Sequence, residues 1–282
     1  NAGNGASLNI CSTDASVNMF TLLGPNAQTG GNWFYVTGNV PHNGTYNPAV
    51  DAPGIYRYCV NATLPCAQHC AFINVTEPQA PNAGCSDSVT LCTSQAPILM
   101  RSYLGCLPQA GGSWVYVTTG GDVSHGNFFD PAVDLPGVYR YTIIGTAPCA
   151  DASATLTVSV VLAGNAGESA TVNACVSQTD LDVFLALGPN AQTGGSWTDQ
   201  NTSGALTGNS FNPSMAGNGI WPLVYTILGT GPCPTVSSTV TVAVGVGGNA
   251  GADSAVVICG SETSYNLFNA LGGAPTAGGT WT

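Results

Sequence analysis

Short runs in which apolar and polar residues alternate recur along the chain. SATLTVSVV (Ser153 to Val161), VSSTVTVAV (Val236 to Val244) and GVYRYTII (Gly137 to Ile144) are rich in β-branched residues and end at Gly, Pro or Asn. A period of two puts one face in a core and the other in water, so these runs predict half-buried β-strands. The only helical candidates are DLDVFLALG (Asp180 to Gly188), VNMFTLLG (Val17 to Gly24) and SYNLFNALG (Ser264 to Gly272). Each apolar run is short and ends at Gly, which predicts one helical turn between strands at most.

The pattern repeats. Asn-Ala-Gly stands at Asn1, Asn82, Asn165 and Asn249, at spacings of 81, 83 and 84 residues. In step with it come a first cysteine (Cys11, Cys92, Cys175, Cys259), a Gly-Gly-x-Trp (Trp33, Trp114, Trp197, Trp281) and a second cysteine (Cys66, Cys149, Cys233). The repeats span 1–81, 82–164 and 165–248, with the truncated start of a fourth at 249–282, so the chain reads as a window on a longer array. About seven strands fit each unit, the size and rhythm of an immunoglobulin-like β-sandwich. The expected fold is therefore all-β, a tandem array of such sandwiches. DAPGIYRY (Asp51 to Tyr58) and DLPGVYRY (Asp134 to Tyr141) resemble the tyrosine corner of that fold, and the Gly-Gly-x-Trp tryptophan falls where the core tryptophan of the third strand belongs. The usual inter-sheet cysteine position is taken by Tyr58, Tyr141 and Tyr225.

Composition narrows the function. With 14 acidic residues against three Arg and no Lys, the formal charge is −11, which argues against nucleic acid and anionic membranes as partners. No apolar run approaches the roughly 18 residues of a membrane helix, and no signal peptide opens the chain, so it reads as a mature, soluble piece. The absence of Lys also removes Lys–Asn isopeptide crosslinks. Eleven cysteines without CxxC metal spacing point to disulfides and an oxidising, extracellular compartment; Cys66, Cys70 and His69 come nearest to a ligand cluster, and it does not recur.

Because only the first and second cysteines recur, the expected pairs are Cys11–Cys66, Cys92–Cys149 and Cys175–Cys233, each contributing on the order of 4 kcal/mol through the unfolded state. The additional cysteines are expected to pair locally, Cys59 with Cys70 and Cys85 with Cys106, against a rival Cys70–Cys85 bond between repeats. Cys259 would find its partner beyond Thr282.

Taken together, the Asn-Ala-Gly start, the cysteine ending the first strand, the LGG or LGP turn, Gly-Gly-x-Trp, Phe-Asp-Pro or Phe-Asn-Pro (Phe129 to Pro131, Phe211 to Pro213), PGVYxY, GTxPC and a closing TVTV strand resemble the tandem repeats of giant Bacteroidetes surface proteins. Those include SprB-type gliding adhesins exported by the type 9 secretion system. The resemblance spans the whole chain. It implies a structural segment of a cell-surface filament or stalk for adhesion or gliding, with further repeats of the same chain, and other copies in a fibre, as partners. It also makes the O-linked pattern Asp-Ser/Thr-aliphatic relevant, which marks Ser88 and Ser254 as glycosylation candidates. The third repeat departs by replacing the Pro-Gly-x-Tyr step with NGIWPLVY (Asn218 to Tyr225).

Other chemistry is sparse. No nucleophile, base or phosphate-cradling motif is present, and no cofactor is expected. His42, His69 and His125 read as surface loop residues without counterparts in the other repeats. Asp130 and Asp134, matched by Asn47 and Asp51, could ligate Ca²⁺, but turn chemistry is the favoured reading, because Asp or Asn before Pro favours a turn and the third repeat lacks the second Asp, so no metal is expected. The repeated tryptophans could stack on sugars, which would make a carbohydrate-binding array the alternative function, but a fixed strand position with varied flanks favours core. Asn43, Asn61, Asn74 and Asn201 head Asn-x-Ser/Thr sequons.

Overall fold

The computed structural model describes residues 1–63 and 65–282. In the first repeat the strands are β1 Ala6–Asn9, β2 Val17–Asn18, β3 Asn32–Tyr35, β4 Val40–His42, β5 Thr45–Tyr46, β6 Gly54–Val60 and β7 His69–Thr76. The second repeat has β8 Asp87–Cys92, β9 Ile98–Leu99, β10 Ser113–Tyr116, β11 Val123–His125, β12 Phe128–Phe129, β13 Gly137–Ile143 and β14 Ala152–Val161. The third has β15 Ala170–Cys175, β16 Leu181–Asp182, β17 Ser196–Asp199, β18 Leu206–Thr207, β19 Ser210–Phe211, β20 Gly219–Ile227 and β21 Val236–Gly245.

The larger sheet of the first repeat has the order β1-β7-β6-β3-β4, and β2 pairs with β5 as a smaller second layer. The other repeats follow, with β11-β10-β13-β14-β8 over β9-β12, and β15-β21-β20-β17 over β16-β19-β18. The first strand lies parallel to the last, Ala6 opposite Ile73 and Ala170 opposite Val240, whereas the long hairpins β6-β7, β13-β14 and β20-β21 are antiparallel. Alternation sorts each hairpin's residues: Ala154, Leu156 and Val158 of β14 are buried, and Val240, Val242 and Val244 of β21 likewise. These are three immunoglobulin-like sandwiches in tandem, each with its own core between its two layers. The three expected helical turns are short 3-10 segments at Met19–Leu23, Leu185–Leu187 and Leu267–Ala270; a further one at Met100–Tyr103 was not expected, and among the described residues the one α-helical turn is α1, Pro213–Ala216.

The chain divides into two units, Asn1–Val160 with the first two sandwiches and Val161–Thr282 with the third. In the fourth repeat, described strand structure is limited to a bridge between Ala252 and Gly272. Val256, Val257 and Ile258, where the other repeats have their first strand, are exposed. Residues 249–282 contain no counterpart of the long last strand against which that first strand pairs.

Candidate functional site: the tyrosine clamp and the joint between repeats

The residues that define the repeat converge on one place in each sandwich. The Asn of Asn-Ala-Gly accepts from the Gly N–H two residues on at 2.9 Å (Asn1 from Gly3, Asn82 from Gly84, Asn165 from Gly167). The Ala between them is buried in the core. Gly3 and Gly167 have φ of +86° and +80°, and a Cβ there would meet the carbonyl oxygen of Leu23 or Leu187 at 2.4 Å, so only glycine fits. The carbonyl of the same Asn receives the N–H of Gln28, Gln109 or Gln192 at 2.9 Å.

The carbonyls of these glutamines in turn accept the hydroxyls of Tyr58, Tyr141 and Tyr225 at 2.8, 2.8 and 2.7 Å. Each hydroxyl also accepts from the second glycine of Gly-Gly-x-Trp, at Gly31, Gly112 and Gly195. A Cβ on any of these glycines would lie 2.6 Å from the tyrosine ring. The neighbouring tryptophan packs on that ring, with centroids 5.0 Å apart for Trp33–Tyr58, Trp114–Tyr141 and Trp197–Tyr225. Where antibody-type domains cross their layers with a disulfide, these repeats use a buried tyrosine that ties two loops together. Trp33 and Trp114 are 7% and 2% exposed, so their faces are not presented to a sugar.

Tyr56 and Tyr139 form the tyrosine corner, each donating to the carbonyl four residues upstream, Ala52 at 2.8 Å and Leu135 at 2.6 Å. Burial, with the nearby Asp51 or Asp134 carboxylate adding to it, pushes both phenols up to about 12. Contrary to the sequence reading, His42 and His125 are counterparts: each stands five residues before the Asn47 or Asp130 of the turn. Their rings lie 4.8 and 4.9 Å from Tyr56 and Tyr139, and their Nε2 atoms lie 3.3 and 3.4 Å from Asp51 and Asp134. Aligning on the Asn/Asp-Pro turn would have revealed the match.

The same carboxylates close the turn. Asp51 Oδ2 accepts from Asn47 N, and Asp134 Oδ2 from Asp130 N, both at 2.7 Å. Asp130 Oδ1 accepts from Ala132 N at 3.0 Å. The two carboxylates proposed for Ca²⁺ are therefore engaged in Asx-turn hydrogen bonds. Among the described residues, no group of three or more His, Cys, Asp or Glu side chains is placed to hold a metal ion. His69 accepts from Ala2 N at 2.9 Å through Nδ1. Ser88 and Ser254 are exposed, as are the four sequon asparagines.

The cysteines correct the expected pairing. Cys11 is bonded to Cys149 of the next repeat, not to Cys66 of its own, and Cys149 is thereby unavailable to Cys92. Cys66 and Cys175, both expected in disulfides, are exposed thiols, as is Cys259. Cys59 is joined to Cys70 across the β6-β7 hairpin and Cys85 to Cys106; Cys92 and Cys233 are also disulfide-bonded. The reason is the position of the second cysteine. Cys149 lies in the loop from β13 to β14, and that loop meets the preceding sandwich where β1 and β7 end. There Ser12 N donates to Pro78 O at 3.1 Å, Ala80 N to Ser12 Oγ at 2.9 Å, and Asn9 Nδ2 to Ala147 O at 3.3 Å. Cys149 Sγ sits 3.2 Å from Pro78 O, so the joint between the first and second repeats is packed, hydrogen-bonded and covalently closed.

No protein-family model matches this sequence, and no curated protein matches it. Solved structures do. The titin I-band fragment I67-I69 matches over 86% of this chain and 97% of its own, at 9% identity and a TM-score of 0.35. The insect immune protein hemolin matches over 85% and 74%, at 12% identity and a TM-score of 0.36. Sidekick-1 immunoglobulin domains 1-5 match at 11% identity and a TM-score of 0.28, with 86% of this chain spanning 60% of that one. At such identities the likeness is one of fold alone. No helix of the described residues is long and apolar enough to cross a membrane.

Proposed function

We propose that this chain is a load-bearing segment of an extracellular surface filament or stalk used in adhesion or gliding, in which the repeats themselves are the working part. The observation that carries the reading is how the recurrent residues are used. The Asn-Ala-Gly, Gly-Gly-x-Trp and tyrosine positions are all consumed in holding each sandwich, and the Cys11–Cys149 bond is consumed in holding two sandwiches together. Bonds of this kind persist in an oxidising compartment, which supports an extracellular location. The bacterial surface, gliding motility and type 9 export are proposed on the motif resemblance. Further repeats and other copies in a fibre are the proposed partners.

Single-molecule stretching tests the mechanical part. Cys11 and Cys149 are 138 residues apart, so pulling the oxidised chain should leave roughly 480 Å of contour locked that reduction releases. Equal extension before and after reduction would remove the load-bearing reading. Binding of the folded chain to a glycan panel, abolished by Trp114→Ala without unfolding, would replace it with the carbohydrate-binding alternative.

A further inference from the structure

The two recurrent cysteines sit in two different local frames. At Cys11, Cys92 and Cys175 the first cysteine ends or closely follows the first strand of its repeat, and its N–H is accepted by a side chain three residues on, at Asp14, Gln95 and Gln178. A hydroxyl two residues on lies beside the sulfur: Thr13 Oγ1 is 3.5 Å from Cys11 Sγ, Ser94 Oγ 3.2 Å from Cys92 Sγ, and Ser261 Oγ 3.2 Å from Cys259 Sγ. At Cys259 the Ser261 hydroxyl and backbone hold the thiol below its ordinary value, which favours the thiolate that disulfide chemistry needs. The second cysteine ends a Thr-x-Pro-Cys turn, with Cys66, Cys149 and Cys233 donating their N–H to the carbonyls of Thr63, Thr146 and Thr230.

In the Cys11–Cys149 bond, a Thr-x-Pro-Cys turn reaches back to the first-cysteine frame of the repeat before it. Cys149 Sγ lies 3.2 Å from Pro78 O, and Cys233 Sγ lies 3.4 Å from the carbonyl of Val161, the residue that matches Pro78 one repeat later. The second cysteine is thus placed twice against the last residues of the preceding repeat, not inside its own. Cys175, whose N–H is accepted by Gln178, and Cys66, whose N–H is donated to Thr63 O, share the backbone part of these frames and carry exposed thiols.

We propose that Cys175 is the attachment site for the Thr-x-Pro-Cys turn of a further repeat of this kind, and Cys66 the attachment site for the first cysteine of one. Each would close a bond of the Cys11–Cys149 type. Two thiols give up two protons and two electrons to a low-molecular-weight disulfide such as oxidised glutathione, forming the protein disulfide and two molecules of reduced glutathione. The incoming repeat can lie on the same chain, following the third repeat for Cys175 and preceding the first for Cys66, or on a second copy; the chemistry is the same. The inference does not depend on what the array adheres to.

The test supplies a further Thr-x-Pro-Cys turn: residues 1–282 are extended after Thr282 with a second copy of residues 199–248, which places Trp281 in register with Trp197. The expected result is loss of Cys175 alkylation and a non-reduced peptide in which Cys175 is linked to the appended copy of Cys233. An appended cysteine linked to Cys259, or a Cys175 that stays alkylatable while the amides of Ala255 to Cys259 become protected from exchange, overturns the proposal. In the unextended chain carrying Cys259→Ser, oxidised glutathione distinguishes the sources. Dimers linking Cys175 to Cys66 support attachment of a second copy, and a persistent monomer alongside a positive extended chain supports attachment along one chain. Independently of any extension, a map linking Cys11 to Cys66 or Cys92 to Cys149 overturns the offset rule outright.

Discussion

The second and third repeats hold the same clamp but turn the same corner by different means. Tyr141 and Tyr225 occupy one register position, opposite Ala154 and Ser238, and make the same pair of loop hydrogen bonds. Two residues upstream they diverge: Tyr139 faces Leu156, whereas the matching position opposite Val240 is Leu223, which is fully buried and has no hydroxyl. The strand there is two residues longer, and an even insertion preserves which face of the sheet each side chain takes. Trp221, two positions further upstream and half-buried, donates its indole N–H to Gly217 O at 3.1 Å, the same four-residue reach as the tyrosine corner. The histidine and aspartate that accompany Tyr139 are absent, and the loop is instead the α1 turn, with Asn212 accepting from Ser214 N and Met215 N. A corner needs a donor at the right distance and accepts a phenol or an indole. The clamp needs one particular ring between one glycine and one carbonyl, and it does not vary.

The largest effect should come from the constant part. Tyr141→Ala and Tyr225→Ala each remove a fully enclosed ring and leave a loop amide and carbonyl unpaired, so each should cost about 3–5 kcal/mol in urea unfolding of its own repeat. A loss in one repeat more than twice that in the other would mean that the clamps are not equivalent. Changing the corner should matter less. Tyr139→Phe and Trp221→Phe each delete one hydrogen bond to a carbonyl, for about 1 kcal/mol, and similar values would establish that the indole replaces the phenol.

Alkali should separate the repeats. A phenol whose pKa rises on folding is held neutral by the fold. Its stabilisation is complete below the unfolded value of about 10 and is lost as pH climbs towards the folded value of about 12. The first and second repeats should therefore weaken through this window, and Tyr139→Phe should flatten the second repeat's profile; an unchanged profile would show that Tyr139 does not govern it. The smallest effect belongs to the His–Asp pairs, both partly exposed. His125→Ala should cost no more than about 1 kcal/mol, and a chelator should leave the melting temperature of the whole chain unchanged. A large fall on chelation would make the Asp130 and Asp134 turn a metal site after all.

Much of the fold was legible because it rests on local chemistry that recurs. Alternation in the 153–161 and 236–244 runs marked the last strands, and Gly-Gly-x-Trp marked the third strand of three repeats, with its tryptophan buried in the first two, half-buried in the third and exposed as Trp281 in the fourth. The corner in the third repeat was not legible as a corner, since Trp221 supplies by geometry what NGIWPLVY lacks by residue type. His42 and His125 were missed as counterparts because a lone histidine carries little pattern of its own, and only its shared aspartate and tyrosine give it a role.

The sequence by itself determined the repeat, its all-β character, the residues that face inward and the oxidised state expected of most cysteines, because period, branching and composition act within one sandwich. Which cysteine meets which was decided by tertiary structure. A bond from Cys11 to Cys66 and one from Cys11 to Cys149 are both compatible with the same repeat, since shifting either by one unit lands on cysteines again. Period alone is blind to that choice. The folded loop from β13 to β14 carries Cys149 to the ends of β1 and β7, where Cα atoms 4.9 Å apart allow the bond, while Cys66 is left exposed at the surface.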